Sequence, residues 1–349
     1  MVKGKEGYIN SRGELVIPAQ FQESSFFSGG LARIKINGKV GYIDPSGALK
    51  IPARFDDGGN FSEGLACAKQ NSEWGYINTS GAFQIRPQFA ITVCNPFHDG
   101  YAVINPGLGN LQLNRLEDHV YYIGTNGEPV ISLRRTIPSI EDFSDGVAWV
   151  GTAGVQAWII DKTGNALSGP VSVCLLPPGS FHEGLSPLQP GCSAKTGYVD
   201  MHGHFIIPPI FDEAGDFSEG VAVVKVNGKY GYIDTKGAFA IPATFDKALS
   251  FTQGLTFVKK GDKWGVIDKK GSWIVAPKFH IFNDGAEFDG ELGAVGTAER
   301  TGGKCDLTLR YINHKGETVW GPSSILPVAP QGAPAAAWNQ RIDKMCQMN

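Results

Sequence analysis

"KWGVIDKKG" at 263–271 decides the fold, because the chain writes nearly the same phrase repeatedly: "KYGYIDTKG" at 229–237, "KVGYIDPSG" at 39–47 and "EWGYINTSG" at 73–81. Aligned on the first Gly of the phrase, the copies give Gly7, Gly41 and Gly75, then Gly197, Gly231 and Gly265, each set stepping by 34 residues without a gap. A fixed step of this size marks a repeat architecture in which each unit is one supersecondary element. Degenerate copies at "VYYIGTNG" (120–127), "WIIDKTG" (158–164) and "RYINHKG" (310–316) raise the count to nine. Spacings lengthen around 104–120, 166–196 and 286–304.

Two further phrases keep the same period. One is F-x-x-G, as in "NFSEGLA" (60–66), "PFHDGYA" (96–102), "DFSDGVA" (142–148), "DFSEGVA" (216–222) and "SFTQGLT" (250–256). The other joins an apolar residue, Pro and Phe, as in "IPARF" (51–55) and "IPATF" (241–245). Residues 216–249 spell one whole unit. "GVAVVKV" (220–226) is a β-branched strand. "NGK" (227–229) is a tight turn and "YGYID" (230–234) the returning strand. After the turn "TKG" (235–237), "AFAIPATF" (238–245) is a third strand, placed at an edge because Pro242 cannot donate to a ladder. The unit reads as a three-stranded antiparallel meander. An odd strand count requires the chain to cross back, and the nine residues "DKALSFTQG" (246–254) are long enough to do it. The Phe of F-x-x-G is expected to pin that crossing to the core while its Gly turns the backbone. Trp74, Tyr230 and Trp264 are expected to cover a neighbouring unit, with Gly75, Gly231 and Gly265 letting backbones approach.

These phrases resemble the WG-repeat (KWG-repeat) family of bacteria, from about residue 3 to 320. The resemblance implies a β-rich repeat array, often on an exported bacterial protein, and no catalytic residues. The chain divides into WG-type repeats 1–3 at 1–104, divergent repeats with insertions at 105–196, and WG-type repeats with a degenerate last unit at 197–320. A Pro-rich connector and short helix follow at 321–349. The expected fold is all-β: about nine meanders in a curved superhelix or a ring-like, propeller-like array, closed by a short C-terminal helix.

Composition agrees. The 349 residues hold 46 Gly, 21 Pro and 20 Phe against 4 Met, a balance that favours short strands and turns over helices. The net charge of −3 lacks the basic surplus that phosphate binding demands, so nucleic acid is not an expected partner. No stretch reaches the roughly 20 apolar residues of a membrane span. The polar start "MVKGKEGYIN" begins inside a repeat unit and carries no signal peptide. It fits either a cytoplasmic protein or an exported, periplasmic one whose leader precedes it. The six Cys include no C-x-x-C pair, which removes zinc ribbons and leaves one to three disulfides open. Cys67 stands in a column where other units place Val223 or Phe257, and reads as a small core residue.

Candidate chemistry is sparse. His202 and His204 in "HGHF" could hold a metal only on a strand, yet the period puts them in a turn. His98 and His182 each precede a carboxylate but sit two units apart, and read as polar turn residues. Asp56, Asp57, Glu63, Asp212, Glu213, Asp216 and Glu219 form acidic connectors without the dense ligand run of a calcium loop. No catalytic, cofactor-binding or metal residue is assigned, no cofactor is expected, and the chain reads as non-enzymatic.

The expected function is a protein-binding scaffold, of a toxin-neutralising (immunity) or cell-envelope kind, because curved repeats present long surfaces. Its expected contacts are Leu108, Leu111, Arg115, Leu175 and Leu176 on the irregular loops, with Trp338 and Ile342 on one stripe of the tail helix. A glycan-binding module is the alternative, and exposed rather than buried Trp and Tyr rows would mark it. An enzyme would need polar groups converging from the irregular middle.

Overall fold

The computed structural model describes residues 5–89, 91, 93–105, 119–134, 139–152, 156–173, 178–191, 195–279, 288–289, 292–301 and 304–324. Among them there is no helix, and the strands form nine antiparallel sheets, one per repeat. Two compact units make up the chain: Met1–Ile9 with Leu15–Pro209, and Asn10–Glu14 with Ile210–Asn349.

The seventh sheet follows the unit read from sequence: Val221–Val226, Lys229–Asp234 and Phe239–Phe245 pair in that order. Asn227 and Gly228, between the first two, both have positive φ, as a type I′ hairpin needs. A fourth strand, Glu213–Ser218, pairs with the free edge of Val221–Val226. The eighth sheet repeats the plan with Lys247–Ala248, Leu255–Lys260, Lys263–Asp268 and Trp273–Phe279. The second (Glu23–Ser28, Leu31–Ile36, Lys39–Ile43, Leu49–Phe55) and the third (Asp57–Gly58, Leu65–Gln70, Glu73–Asn78, Phe83–Phe89) match it. The meander is therefore four-stranded in these units, and the connector expected to carry the chain across supplies the extra strand.

The crossing lies elsewhere, and it explains the phrase Gly. Phe55 pairs with Val40 of the second sheet, while the next residue, Asp56, donates its N–H to Lys69 O of the third (2.9 Å). Asp212 and Asp246 make the same one-residue step, to Lys225 O and Lys259 O. The preceding I-P-x-x-F segment has already left the edge. A Cβ at Gly75 would lie 2.5 Å from Ile85 O and 2.7 Å from Pro87 N, and a Cβ at Gly41 2.7 Å from Ala53 Cα. Because a strand Cβ points out of the sheet, the Pro-containing segment passes over the face of its own sheet at the Gly. The register shows the detour: Tyr42 pairs with Ile51 and Val40 with Phe55, two residues against four. The phrase Gly and the Pro phrase are two halves of one device, and the close approach is to the same unit rather than to a neighbour.

Side chains join successive sheets face to face. Tyr42, Tyr76, Tyr122 and Tyr232 donate their hydroxyls to Gly59 O, Asn95 O, Glu141 O and Leu249 O of the following connector, at 2.6–2.8 Å. Burial pushes the pKa of all four above the ordinary phenol value, so they stay protonated donors. The F-x-x-G Phe of that connector packs edge-on against the same ring in Tyr42–Phe61, Tyr76–Phe97, Tyr122–Phe143 and Tyr232–Phe251. The second Gly of the phrase has positive φ and lies against the preceding unit: a Cβ at Gly81 would meet Ile51 Cγ2 at 2.8 Å. Trp74 and Trp264 are 7% and 5% exposed, each in a cluster that spans two sheets; Tyr230 is half-buried. Cys67 is buried, but it is also disulfide-bonded to Cys94, fastening the irregular 93–97 stretch to the third sheet.

Candidate functional site

The F-x-x-G turns form the first recurring surface. Ser62–Leu65, His98–Tyr101, Ser144–Val147 and Thr252–Leu255 are two-residue hairpins whose ends bond reciprocally. Their central residues, Glu63–Gly64, Asp99–Gly100, Asp145–Gly146 and Gln253–Gly254, all have positive φ. The acid in this column reaches the next turn. Glu63 accepts from the N–H groups of Asp99 (2.7 Å) and Gly100 (2.8 Å), Asp99 from Gly146 (2.6 Å), Asp145 from Gly184 (2.8 Å), and Glu219 from Gly254 (2.9 Å). The Ser one place earlier reaches forward too: Ser28, Ser62 and Ser218 donate to Phe61 O, Phe97 O and Phe251 O at 2.5–2.8 Å. These carboxylates act as links between turns.

The remaining acids are also engaged. Asp56 pairs with Lys39 (2.6 Å) and accepts from Asn71 N–H (3.0 Å); Asp57 meets Arg33 (3.4 Å); Glu213 holds Lys225 (2.6 Å) and the Tyr230 hydroxyl (2.5 Å). The Lys225 hydrogen bond, then that of Tyr230, holds the Glu213 pKa below its usual value. His98 Nε2 stands 3.8 Å from Asp142 Oδ2, and burial raises the Asp142 pKa against that pull. His202 and His204 lie in a turn whose N–H groups both donate to Asp200 Oδ1 (2.9 Å). Among the described residues no group of three or more His, Cys, Asp or Glu side chains is placed to hold a metal.

The second surface is apolar. The strands that carry the Pro phrase bury its Ile or Val and its Phe and leave their first two residues exposed, before the chain turns over the sheet face. Large apolar side chains recur there: Leu15 (58% exposed), Val16, Leu49, Val130, Phe205 and Ile206 in the first unit, and Phe239 (47%), Trp273 (38%) and Ile274 in the second. Phe83 and Trp273 each lean edge-on against the last Phe of the preceding sheet, Phe55 and Phe245. Within each unit an exposed apolar side chain recurs at this place in more than one sheet.

Leu108, Leu111, Arg115, Leu175, Leu176, Trp338 and Ile342, and with them the tail helix, lie outside the described residues. Trp74 and Trp264 are buried, and Gly75, Gly231 and Gly265 lie under the Pro segment of their own sheet. Sequence reasoning missed the turn-to-turn acid links, although Glu63, Asp99, Asp145, Glu183 and Glu219 all precede the Gly of F-x-x-G and the column carries the signal. It also missed the apolar row, whose members Leu49, Phe83, Phe239 and Trp273 differ in type but share a column.

No curated protein matches the chain. Among solved structures it is similar to the computationally designed Ika8 protein (11% identity, TM-score 0.45, 78% of this chain and 91% of that one). It is similar also to BamB from Moraxella catarrhalis (10%, 0.41, 70% and 78%) and to apo AztD from Citrobacter koseri (11%, 0.41, 83% and 90%). The model of the WG containing repeat matches six times, at 7–39, 41–74, 74–105, 197–230, 230–264 and 264–281, just over half of the residues. With the phrase, its two Gly contacts and the Pro crossing recurring where that model matches, the chain belongs to the WG-repeat family.

Proposed function

We propose that the protein is a non-enzymatic, protein-binding repeat scaffold. The observation that carries this reading is the exposed apolar start of the third strands, with Leu15, Val16 and Leu49 in the first unit and Phe239, Trp273 and Ile274 in the second. Monomeric proteins rarely leave such residues in a regular series, and covering one Leu, Ile or Phe yields about 1.5–3 kcal/mol. The glycan alternative is less well supported. The phrase aromatics Tyr42, Tyr76, Tyr122, Tyr198 and Tyr232 are all buried in the core and offer no stacking platform. The Cys67–Cys94 disulfide supports an oxidising, exported setting, and with it a cell-envelope or immunity role. The irregular loops, with Leu108, Leu111, Arg115, Leu175 and Leu176, would add the discrimination that a uniform row lacks.

The test is capture of a partner by the full chain, then measurement of its affinity for a Leu49→Lys, Phe239→Lys, Ile274→Lys variant. Weakening by at least about tenfold, with an unchanged melting temperature, is the expected result. A partner held equally well by the variant would refute the row as the contact. A glycan array bound through the row would replace the protein reading.

A further inference from the structure

A pocket of about 330 Å³ opens inside the second unit, between the seventh and eighth sheets. Gly215, Val223, Tyr230, Leu249 and Trp264 give it mostly apolar walls, to which Glu213 and Lys247 also contribute. The volume lies at the lower end of small-ligand sites and suits a single ring.

Other sheets show what the repeat does with this place when it is filled. Val223 faces Tyr232 across the strands, and the same position holds Arg33, Cys67, Trp149 and Phe257 elsewhere. Each of those four fills its place by a different device. The Arg33 guanidinium lies 3.2 Å from Glu23 and 3.4 Å from Asp57, and its side chain is only 17% exposed. Cys67 is bonded to Cys94. Trp149 stacks on Phe181 and donates its indole N–H to Ser186 Oγ (2.9 Å). Phe257 is 1% exposed.

Val223 stays half-buried, and the space beside it stands open. Valine alone does not open the place, since Val103 at the same position of the fourth sheet is buried. The seventh sheet also carries Gly215 where the second sheet, 190 residues earlier, has Ser25. A Cβ at Gly215 would lie 2.9 Å from Val223 Cγ1, so the two small residues bound one space.

Charge decides what that space accepts. The same shift of 190 sets Glu213 on Glu23 and Lys247 on Asp57, so the walls carry one acid and one base. Neither is spare. Glu213 holds Lys225 (2.6 Å) and the Tyr230 hydroxyl (2.5 Å), and Lys247 makes an interaction of its own. An entering anion would meet Glu213 and an entering cation Lys247. Either would shed its water without gaining a free counter-charge. An uncharged group avoids both costs and covers the apolar walls.

We propose that this pocket binds a small uncharged molecule built on one ring, held against Val223, Leu249 and Trp264 in the place that a side chain fills in other sheets. The site is separate from the apolar row and does not depend on its role.

Titration of the full chain with benzyl alcohol, followed by the amide shifts of 247–249 and the Trp264 indole signal, tests this. Saturable shifts are expected. Benzoate and benzylammonium, which carry the same ring with opposite charges, should each bind at least about tenfold more weakly. Val223→Phe, the side chain of the eighth sheet at this position, should abolish the shifts. Gly215→Ser, the side chain of the second sheet, should weaken binding at least about tenfold, and it keeps the test valid if the Phe variant fails to fold. No saturable shift, a charged analogue held as tightly as the alcohol, or unchanged binding in both variants would overturn the proposal.

Discussion

Gly75→Ala adds one methyl group where the chain crosses its own sheet, and the structure sets what that costs. The new Cβ would lie 2.5 Å from Ile85 O, 2.7 Å from Pro87 N and 2.8 Å from Arg86 C, all backbone. Each is about 1 Å inside ordinary contact, and no side-chain rotation can relieve it. The crossing segment must therefore lift. It is held on both sides of the contact by Ile85, 2% exposed, and Phe89, which pairs with Trp74. Overpacking of a fixed site costs about 1–3 kcal/mol and occasionally more. The lost freedom of the unfolded Gly returns roughly 0.4–1 kcal/mol. Because three backbone atoms are struck together, a net loss of about 2–3 kcal/mol is expected, a fall in melting temperature of roughly 3–4 °C for a chain of this size. Gly64→Ala is the control. Its φ is +80° with nothing within 4 Å of the Cβ, so it carries backbone strain alone, about 1–2 kcal/mol. Thermal and urea melts of both variants separate the two costs. If Gly75→Ala melts within a degree of the parent, the Pro segment does not pass over the Gly, and the account of the crossing fails.

Other perturbations probe other links. Trp264→Ala empties a site that is 5% exposed and should cost about 3–5 kcal/mol in urea melts. Replacing Cys67 and Cys94 by Ala opens a loop of 27 residues' separation and should cost about 3–4 kcal/mol, with the bond itself verified by peptide mapping without reductant. Asp44 is held at a pKa of about 2, first by the Ser46 hydroxyl and then by Lys50 and the turn amides. A depressed carboxylate stabilises above its unfolded pKa, near 3.8, and that support is lost as pH falls from there through about 2. Carboxyl chemical shifts should show the low titration, and Asp44→Asn should remove it while keeping the turn, as Asn78 does in the next unit.

How much of this was legible follows from what a repeat averages. The strands and turns were readable because their reasons are local: β-branched runs, Asn227–Gly228 in a positive-φ turn, Pro242 barred from a central ladder. The crossing was misassigned because the sequence shows that "DKALSFTQG" is long enough to cross but not that it pairs. Its two-residue strand, Lys247–Ala248, is too short to leave a period-two pattern. The true signal was the coupling of two columns, the first Gly of the opening phrase and a Pro about eleven or twelve residues later, such as Gly75 and Pro87 or Gly231 and Pro242. Each residue alone has an ordinary explanation, and only their contact gives the shared one.

The same logic locates specificity. Residues common to all units, such as the buried Tyr and the turn Gly, must build the array and so cannot distinguish a ligand. What distinguishes one unit from its sibling is free of that duty. Arg33 against Val223 and Asp57 against Lys247 are two such differences, and they fall on one another across two sheets. Changing Asp57 alone would set Arg33 beside a lysine, and changing Arg33 alone would empty the joint while Asp57 still faces Lys69. The two together convert a filled, charge-matched joint into an open one of altered sign. Within a repeat chain the paired departures from the common unit, read against the joint they share, are where a binding role has room to arise.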